Sequence, residues 1–223
     1  MKCLISDFDG TLYDDNFLNN VKSVKNFVSQ GNIFIINTGR TFESIKRAIK
    51  GYEIPYQYLI CSDGACIYDE NDKIIYSQYL DDEFKNKVCS YLQNNKDIKK
   101  IMFDNCYTLT TDVNEKICRC FCTCLDKKLD IKICNELNKE NNIKAYISPN
   151  WVNILSVNIN KMVAIKYLEK SLGNIYSVGD SINDIEMLEM YNGYVMEKNE
   201  IGKCNLQTVS SVEKLIDKIL KDT

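Results

Sequence analysis

Histidine is absent from this chain of 223 residues, and proline and tryptophan are scarce, with two copies and one copy. The absence of histidine excludes Ser-His-Asp and Cys-His catalysis within the chain, and it excludes any metal site with imidazole ligands. No apolar stretch approaches the roughly 18–20 residues that span a bilayer. Acid–base chemistry must therefore come from carboxylates, lysine, tyrosine or cysteine, and we expect no membrane partner.

The charge pattern excludes a second class of partner. The formal net charge is −3 and no long basic run is present, so nucleic acid is not expected to bind. Hydrophobic residues make up 45% and charged residues 26% of the chain, which is typical of a globular protein. An acidic residue, Asp7, comes too early for the apolar core of a signal peptide, and this favours a cytoplasmic protein.

Cysteine, by contrast, is abundant, with eleven copies. An odd number of cysteines without a signal peptide argues against a disulfide framework. Cys118, Cys120, Cys122 and Cys124 alternate, so on a strand their side chains would lie on one face. Such neighbours form a line rather than the tetrahedron that zinc requires. We predict a thiol-rich strand face packed on helices, and a zinc site is the less favoured alternative.

Strand and helix patterns alternate at the start of the chain. Apolar runs at 3–5, 33–36 and 58–61 are typical of buried parallel strands. Apolar residues at helical spacing predict helices over about 17–30 and 41–50. This order of elements is typical of an α/β protein with a Rossmann-like parallel sheet.

The same alternation resumes near the end of the chain. We predict helices over 161–172 and 182–190, strands over 175–178 and 194–196, and a last helix with one apolar face near 212–220. The first and last thirds of the chain are therefore expected to share one sheet.

The middle of the chain has runs of strands with few helices, which favours an α+β insertion. Residues 65–79 indicate two strands around a turn at Asn71-Asp72, and residues 82–94 indicate a helix. We therefore predict a catalytic core of residues 1–62 and 156–223, with an inserted α+β cap at 63–155.

Three polar clusters directly follow predicted strands, at residues 7–11, 38–40 and 179–184. Because the carboxyl ends of parallel strands line one edge of a sheet, the clusters should converge on one site. The carboxylates of Asp7, Asp9 and Asp180 would repel one another without a cation, and oxygen ligands suit Mg²⁺. Simple capping of turns and helices is the alternative for each cluster taken alone.

Two of the clusters also carry local signals at helix starts. The sequence Thr38-Gly39-Arg40 opens a helix whose free N–H groups suit a phosphate, although N-capping by Thr38 or Thr41 is the alternative. Ser181 and Asp184 have the spacing of an acidic capping box, so part of the third cluster is structural.

These clusters resemble the signature motifs of the haloacid dehalogenase-like superfamily. The segment 7–12 resembles the first motif (DxDGT), Thr38 the second, Lys161 the third and the segment 179–184 the fourth. The placement of the insertion resembles the Cof-type subfamily with a type IIB cap. The resemblance covers nearly the whole chain.

The resemblance implies a role for each matching residue. Asp7 would be the nucleophile and Asp9 the general acid and base. Thr38, Gly39, Lys161 and Asn183 would bind or support the phosphoryl group. Asp7, Asp9 through its backbone carbonyl, Asp180 and Asp184 would hold or support Mg²⁺.

The implied activity is hydrolysis of phosphate monoesters of small metabolites, with sugar phosphates as the leading class, by a monomer or homodimer. Asp9 distinguishes the chain from dehalogenases and P-type ATPases, which lack an Asp there. A phosphomutase and a non-catalytic regulatory protein on the same scaffold remain as alternatives.

Several further residues bear on the substrate. Asp63 and Gly64 stand where relatives often have Asn-Gly, and they could form a hinge or part of the specificity rim. Arg40 and Arg47 could bind a second anionic group, but pairing with acidic residues is favoured. Trp151 is expected to pack in the core of the cap rather than line the pocket.

Overall fold

The computed structural model describes residues 1–149, 151–202 and 204–221. The strands, numbered in chain order, are β1 Lys2–Ser6, β2 Ile33–Asn37, β3 Tyr58–Cys61, β4 Cys66–Asp69, β5 Ile74–Ser77, β6 Ile98–Asp104, β7 Leu109–Thr110, β8 Arg119–Cys124, β9 Ile143–Ser148, β10 Trp151–Ser156, β11 Asn174–Gly179, β12 Gly193–Met196 and β13 Gln207–Val209. The helices are α1 Phe17–Ser29, α2 Phe42–Ile49, α3 Asp82–Asn94, α4 Lys127–Leu137, α5 Lys161–Leu168, α6 Ile185–Met190 and α7 Val212–Lys221. The α/β fold class is confirmed.

The larger sheet has eight strands in the order β13-β12-β11-β1-β2-β3-β4-β5. The strands from β13 to β3 are parallel, so the first and last thirds of the chain share one sheet, as predicted. In β1, Leu4 faces a core that includes residues of α1 and α7, whereas Cys3 and Ile5 face residues of α5 and α6. Helices thus cover both faces, which is why the parallel strands are almost continuously apolar.

The smaller sheet has five strands in the order β7-β6-β8-β10-β9, all paired antiparallel. Cys118, Cys120 and Cys122 are fully buried, and Cys124 is partly buried. Cys120 hydrogen-bonds to Cys89 of α3, and residues of α3 and α4 belong to the same apolar cluster as this strand. The prediction of a thiol-rich strand packed on helices is confirmed.

Strands β4 and β5 need a correction, because we expected residues 65–79 to lie in the inserted segment. They instead extend the larger sheet as an antiparallel hairpin, with Cys61 opposite Cys66 in the β3–β4 pair. Apolar spacing alone predicts a hairpin but does not tell which sheet it joins. The smaller sheet is made of residues between 98 and 156.

None of the helices within the described ranges is long and apolar enough to cross a membrane. All eleven cysteines are free thiols, and Cys204 is the exposed one.

Candidate active site

Asp7 lies directly after β1, at the carboxyl edge of the larger sheet. Its backbone N–H donates to the carbonyl of Val178 at 2.9 Å, which continues the pairing of β1 with β11. Its side chain is buried beside Lys161, whose Nζ donates to Asp7 Oδ1 at 2.5 Å and to Asp184 Oδ1 at 2.6 Å. The structure thus brings Lys161 to Asp7, which is 154 positions away in the sequence, and to Asp184, which is 23 positions away.

The position of Lys161 follows from the start of α5. Asn160 is the N-cap residue, and its side chain accepts a hydrogen bond from the N–H of Val163 at 2.9 Å. Lys161 is therefore the first residue of the helix, where its ammonium group can reach the sheet edge. Only 1% of Lys161 is exposed, and an ammonium group this deeply buried needs carboxylate partners.

Burial and the neighbouring charges shift the pKa values of Asp7 and Lys161. Burial raises the pKa of Asp7 well above its usual range, Lys161 opposes this increase, and the neighbouring Asp184 adds to it. Burial alone would lower the pKa of Lys161, but Asp184 and Asp7 outweigh it and leave that pKa above its ordinary value. Lys161 therefore stays charged, and it is the main group that stabilises the ionised form of Asp7.

The turn that follows β11 fixes Asp184. Its Oδ2 accepts hydrogen bonds from the backbone N–H of Asp180 and Ser181 at 3.2 and 3.1 Å, and from Ser181 Oγ at 3.0 Å. This is the reciprocal capping box that the sequence predicted. A Cβ atom on Gly179 would lie 2.5 Å from Asp184 Cγ, so only glycine leaves room for the carboxylate.

Asp7, Asp180 and Asp184 form a group that could hold a metal ion. Each offers one carboxylate oxygen, and the three oxygens lie within 4.8 Å of one another. Burial, followed by repulsion from the nearby charge of Asp184, raises the pKa of Asp180 to about 6. A donor set made only of oxygens fits a hard divalent cation such as Mg²⁺.

The loop at residues 10 and 11 keeps Asp180 next to Asp7. Thr11 Oγ1 donates to Asp180 Oδ1 at 3.0 Å. Gly10 has a φ of +80°, and a Cβ atom there would lie 2.3 Å from Asp180 Oδ2. The glycine is thus required both by its left-handed backbone and by the close approach of the carboxylate.

Asp9 takes a different position from the three clustered carboxylates. Arg40 Nε donates to Asp9 Oδ2 at 2.7 Å and Arg40 Nη2 donates to Asp9 Oδ1 at 2.6 Å. This two-point contact fixes the Asp9 carboxylate at the wall of the site, where about half of the side chain is exposed. Arg47 pairs with Glu43 at 3.3 Å, so the favoured prediction of acidic partners for Arg40 and Arg47 is confirmed.

Thr38 and Gly39 lie on the same edge, after β2. Thr38 is 1% exposed and its N–H donates to the carbonyl of Ile60 at 2.9 Å. The hydroxyl of Thr38 accepts a hydrogen bond from the N–H of Arg40 at 3.1 Å. The N-cap of α2 is Thr41, which leaves the loop at 38–40 free to face the site.

Sequence reasoning missed a buried ion-pair network around Asp63. Asp63 Oδ2 accepts hydrogen bonds from Arg119 Nη1 and, at 2.5 Å, from the hydroxyl of Tyr146. Asp63 Oδ1 accepts one from Asn183 Nδ2 at 2.8 Å. Arg119 Nη2 also donates to Asp104 Oδ2 at 2.8 Å and to the carbonyl of Gly39 at 2.6 Å. The network joins both sheets to the loops that carry Gly39 and Asn183.

One guanidinium, that of Arg119, is shared by two carboxylates in this network. Burial alone would raise the pKa of Asp63, but Arg119 and Lys161 outweigh it and lower that pKa. Asp63 has a φ of +56°, a left-handed conformation that is uncommon for aspartate, and the network holds it there. Asp63 is therefore a structural junction between the sheets.

We expect Arg119→Met to lower the free energy of unfolding by about 3–5 kcal/mol, because it leaves the Asp63 and Asp104 carboxylates buried without their cation. Tyr146→Phe removes one hydrogen bond to a buried carboxylate and should cost about 1.5–3 kcal/mol. Chemical denaturation measures both values. Arg47→Met is the matched control, because its exposed pair with Glu43 should be worth less than about 1 kcal/mol. Equal costs for Arg119→Met and Arg47→Met would contradict this account.

A cavity of about 1020 Å³ opens beside the Asp7 cluster, and residues from both sheets line it. Asp7, Asp9, Gly39, Asp180 and Asn183 contribute to its wall. Trp151 also lines the cavity and is only partly buried, which corrects the expectation that it packs in a core. One face of β10, the strand that carries Trp151, lines the cavity. The sequence did not indicate which face of this strand would do so.

The fold and this site together define a class: α/β proteins with a Rossmann-like parallel sheet and an acidic cluster at its carboxyl edge. A model of the family described as haloacid dehalogenase-like hydrolase matches residues 4–117 and 105–201. The chain belongs to the haloacid dehalogenase-like hydrolase family and is an enzyme. The resemblance seen in the sequence motifs is confirmed.

Relatives and solved structures agree with this assignment. The chain is 28% identical to a protein of Buchnera aphidicola subsp. Baizongia pistaciae named "Putative phosphatase", with 83% of this chain and 82% of that protein covered. It is 23% identical to the 5-amino-6-(5-phospho-D-ribitylamino)uracil phosphatase YcsE of Bacillus subtilis, with 85% and 80% covered. A haloacid dehalogenase-like hydrolase from B. subtilis has the same fold, with a TM-score of 0.83, 15% identity and full coverage of both chains.

Proposed function

We propose that this enzyme is a Mg²⁺-dependent phosphatase that hydrolyses phosphate monoesters of small metabolites, with sugar phosphates as the first class to test. The observation that carries the proposal is the buried Asp7 carboxylate, held by Lys161 and flanked by Asp180 and Asp184. The phosphatase names of the relatives from Buchnera aphidicola and Bacillus subtilis support the same reaction.

In the first half-reaction, an Asp7 carboxylate oxygen attacks the phosphorus atom. The bond from phosphorus to the ester oxygen breaks, and Asp9 gives its proton to the departing alkoxide. Asp9 lies outside the buried cluster, at the cavity wall where the leaving group would sit. Its ion pair with Arg40 must open so that Asp9 can take up the proton that it gives to the leaving group. The products are an alcohol and a phosphoryl group on Asp7.

In the second half-reaction, a water molecule attacks the phosphorus atom of the aspartyl-phosphate. Asp9, now ionised, accepts the proton of that water, and the bond between Asp7 and phosphorus breaks. Inorganic phosphate leaves, and both carboxylates return to their starting states. The exposure of Asp9 gives the water a path to this side of the site.

The remaining residues bind and orient the phosphoryl group. Lys161 offers positive charge next to Asp7, and Thr38, Gly39 and Asn183 offer hydrogen-bond donors from two loops of the sheet edge. Asp7, Asp180, Asp184 and the backbone carbonyl of Asp9 would hold Mg²⁺. The ion supplies charge neutralisation between the phosphate and the carboxylates.

We also propose that the chain has two domains, a core and an inserted cap. Because β4 and β5 extend the larger sheet, we assign them to the core and propose that the cap begins near residue 80 rather than at 63. The cap contributes the far wall of the cavity, which is where a leaving group would be enclosed.

The activity is tested by measuring phosphate release from a panel of sugar phosphates, nucleotides, pyridoxal phosphate and a chromogenic ester. We expect release with added Mg²⁺ and a loss of about 100-fold or more when a chelator removes the ion, because the carboxylate cluster then stays uncompensated. Added Mg²⁺ should restore the rate. Release that is unaffected by the chelator would contradict the metal requirement, and absence of release from every compound would contradict the phosphatase.

A further inference from the structure

The arginines of the cavity wall are all paired with carboxylates. Arg40 makes two hydrogen bonds to Asp9, and Arg119 is shared by Asp63 and Asp104. Arg47 pairs with Glu43. Among the described residues that line the cavity, no lysine is present and no arginine is without an acidic partner.

The same wall carries additional negative charge. Glu200 and Asp180 line the cavity together with Asp7 and Asp9. Arg119 is buried to 2% exposure between its two carboxylates, so it cannot move to an incoming anion without leaving both of them buried and unpaired. A second phosphate or a carboxylate on the leaving group would therefore have to compete with Asp9 for Arg40 or with Glu43 for Arg47 to reach a cation outside the Asp7 cluster.

The smaller sheet and α4 contribute several large apolar side chains and two amides to the cavity lining. Phe121 and Trp151 lie edge to face, with ring centroids 5.9 Å apart. Ile131 of α4 and Ile147 of β9 also line the cavity, and they are 58% and 44% exposed although they are large apolar side chains. Asn135 and Asn153 supply the polar groups on this side. Apolar walls with a few amides favour uncharged ligands of mixed polarity.

We propose that this site selects phosphate monoesters whose leaving group is uncharged and partly apolar, and that it discriminates against esters with a second phosphate or a carboxylate. This inference rests on the proposed phosphatase activity and specifies its substrate class. The same electrostatic argument disfavours a phosphomutase, because the second phosphate of a bisphosphate activator would meet arginines that already have carboxylate partners. The cavity, at about 1020 Å³, has room for such a leaving group.

The experiment compares three primary alkyl phosphates whose ester chemistry is similar. Glycerol 3-phosphate ends in an uncharged hydroxymethyl group, and 3-phosphoglycerate has a carboxylate in its place. The third compound, 2-phenylethyl phosphate, carries an apolar ring. We expect kcat/KM to fall by about tenfold or more from glycerol 3-phosphate to 3-phosphoglycerate. We expect it to rise by about tenfold or more from glycerol 3-phosphate to 2-phenylethyl phosphate.

Two variants connect the preference to the wall. Asn135→Lys adds a cation on an exposed helix position of the cavity, and it should raise kcat/KM for 3-phosphoglycerate relative to glycerol 3-phosphate by about tenfold. Asn71→Lys is the matched control, because it makes the same substitution in an exposed turn outside the cavity and should leave the ratio unchanged. Trp151→Ala should reduce the advantage of 2-phenylethyl phosphate.

The outcomes separate this inference from the proposed function. If no ester releases phosphate in the presence of Mg²⁺, the phosphatase itself is wrong. If esters are hydrolysed but 3-phosphoglycerate is as good a substrate as glycerol 3-phosphate, the phosphatase stands and the inferred selectivity is overturned. Equal kcat/KM values for 2-phenylethyl phosphate and glycerol 3-phosphate would overturn the inferred preference for apolar leaving groups.

Discussion

Asp7→Asn is expected to lower kcat by about 10⁴-fold or more, because the amide cannot serve as the nucleophile that the reaction requires. The protein should still fold. Burial and Asp184 already raise the pKa of Asp7, so its ionised form is disfavoured in the folded state. The free energy of unfolding at neutral pH is therefore expected to be unchanged or higher. Steady-state kinetics and chemical denaturation measure the two effects.

Asp15→Asn is the matched control for this variant. Asp15 lies on the same segment, but its side chain is 93% exposed and pairs with Lys198 at the surface. The control should keep the rate of the wild type. If Asp7→Asn retained more than about a tenth of the wild-type kcat, Asp7 would not be the nucleophile.

Lys161→Met is expected to have the second largest effect, on stability as well as on rate. The substitution keeps the length of the side chain but leaves two buried carboxylates, Asp7 and Asp184, without their shared cation. We expect the free energy of unfolding to fall by about 3–5 kcal/mol. We expect kcat to fall by about 10³-fold, because positive charge next to the phosphoryl group is lost.

Lys166→Met tests whether the effect depends on the position in α5. Lys166 lies in the same helix but is exposed to solvent, so its loss should change the stability by no more than about 0.5 kcal/mol and leave kcat unchanged. Similar results for Lys161→Met and Lys166→Met would contradict the account of the buried ion pair.

The sequence was sufficient to predict that β1, β2, β3, β11 and β12 share the larger sheet and that the loops after its strands meet at one edge. The reason is that parallel strands are nearly continuous apolar runs, and each is followed directly by its polar cluster. The proximity of Asp7 and Asp180 follows from the fold class alone. The contacts of Lys161 with Asp7 and Asp184 were expected only through the family resemblance, because nothing local in a helix start indicates a distant carboxylate.

The Asp63 network could not be predicted, because it depends on the register of antiparallel strands. Arg119 is 56 positions from Asp63 in the sequence, and it lies next to the alternating cysteines of β8 without any local sign of an acidic partner. A shift of one residue in β8 would turn Arg119 to the opposite face. For the same reason the sequence did not show that Trp151 of β10 lines the cavity.

The hairpin of β4 and β5 illustrates a related difficulty. Its strands and its turn near Asp72 were predicted, but an antiparallel hairpin can extend either of two neighbouring sheets. In the structure β4 pairs with β3, so the hairpin joins the larger sheet. No residue of the hairpin indicates this pairing in the sequence.

The most direct test of the central claim is to trap the phosphoryl group on the enzyme during turnover. The reaction is quenched with acid in the presence of Mg²⁺ and a substrate, the protein is reduced with borohydride, and the peptide that contains Asp7 is examined by mass spectrometry. Reduction converts an aspartyl-phosphate to homoserine, so the account predicts homoserine at position 7 in the wild type and none in Asp7→Asn. Phosphate release with an unmodified Asp7, or with the modification at another carboxylate, would contradict the account.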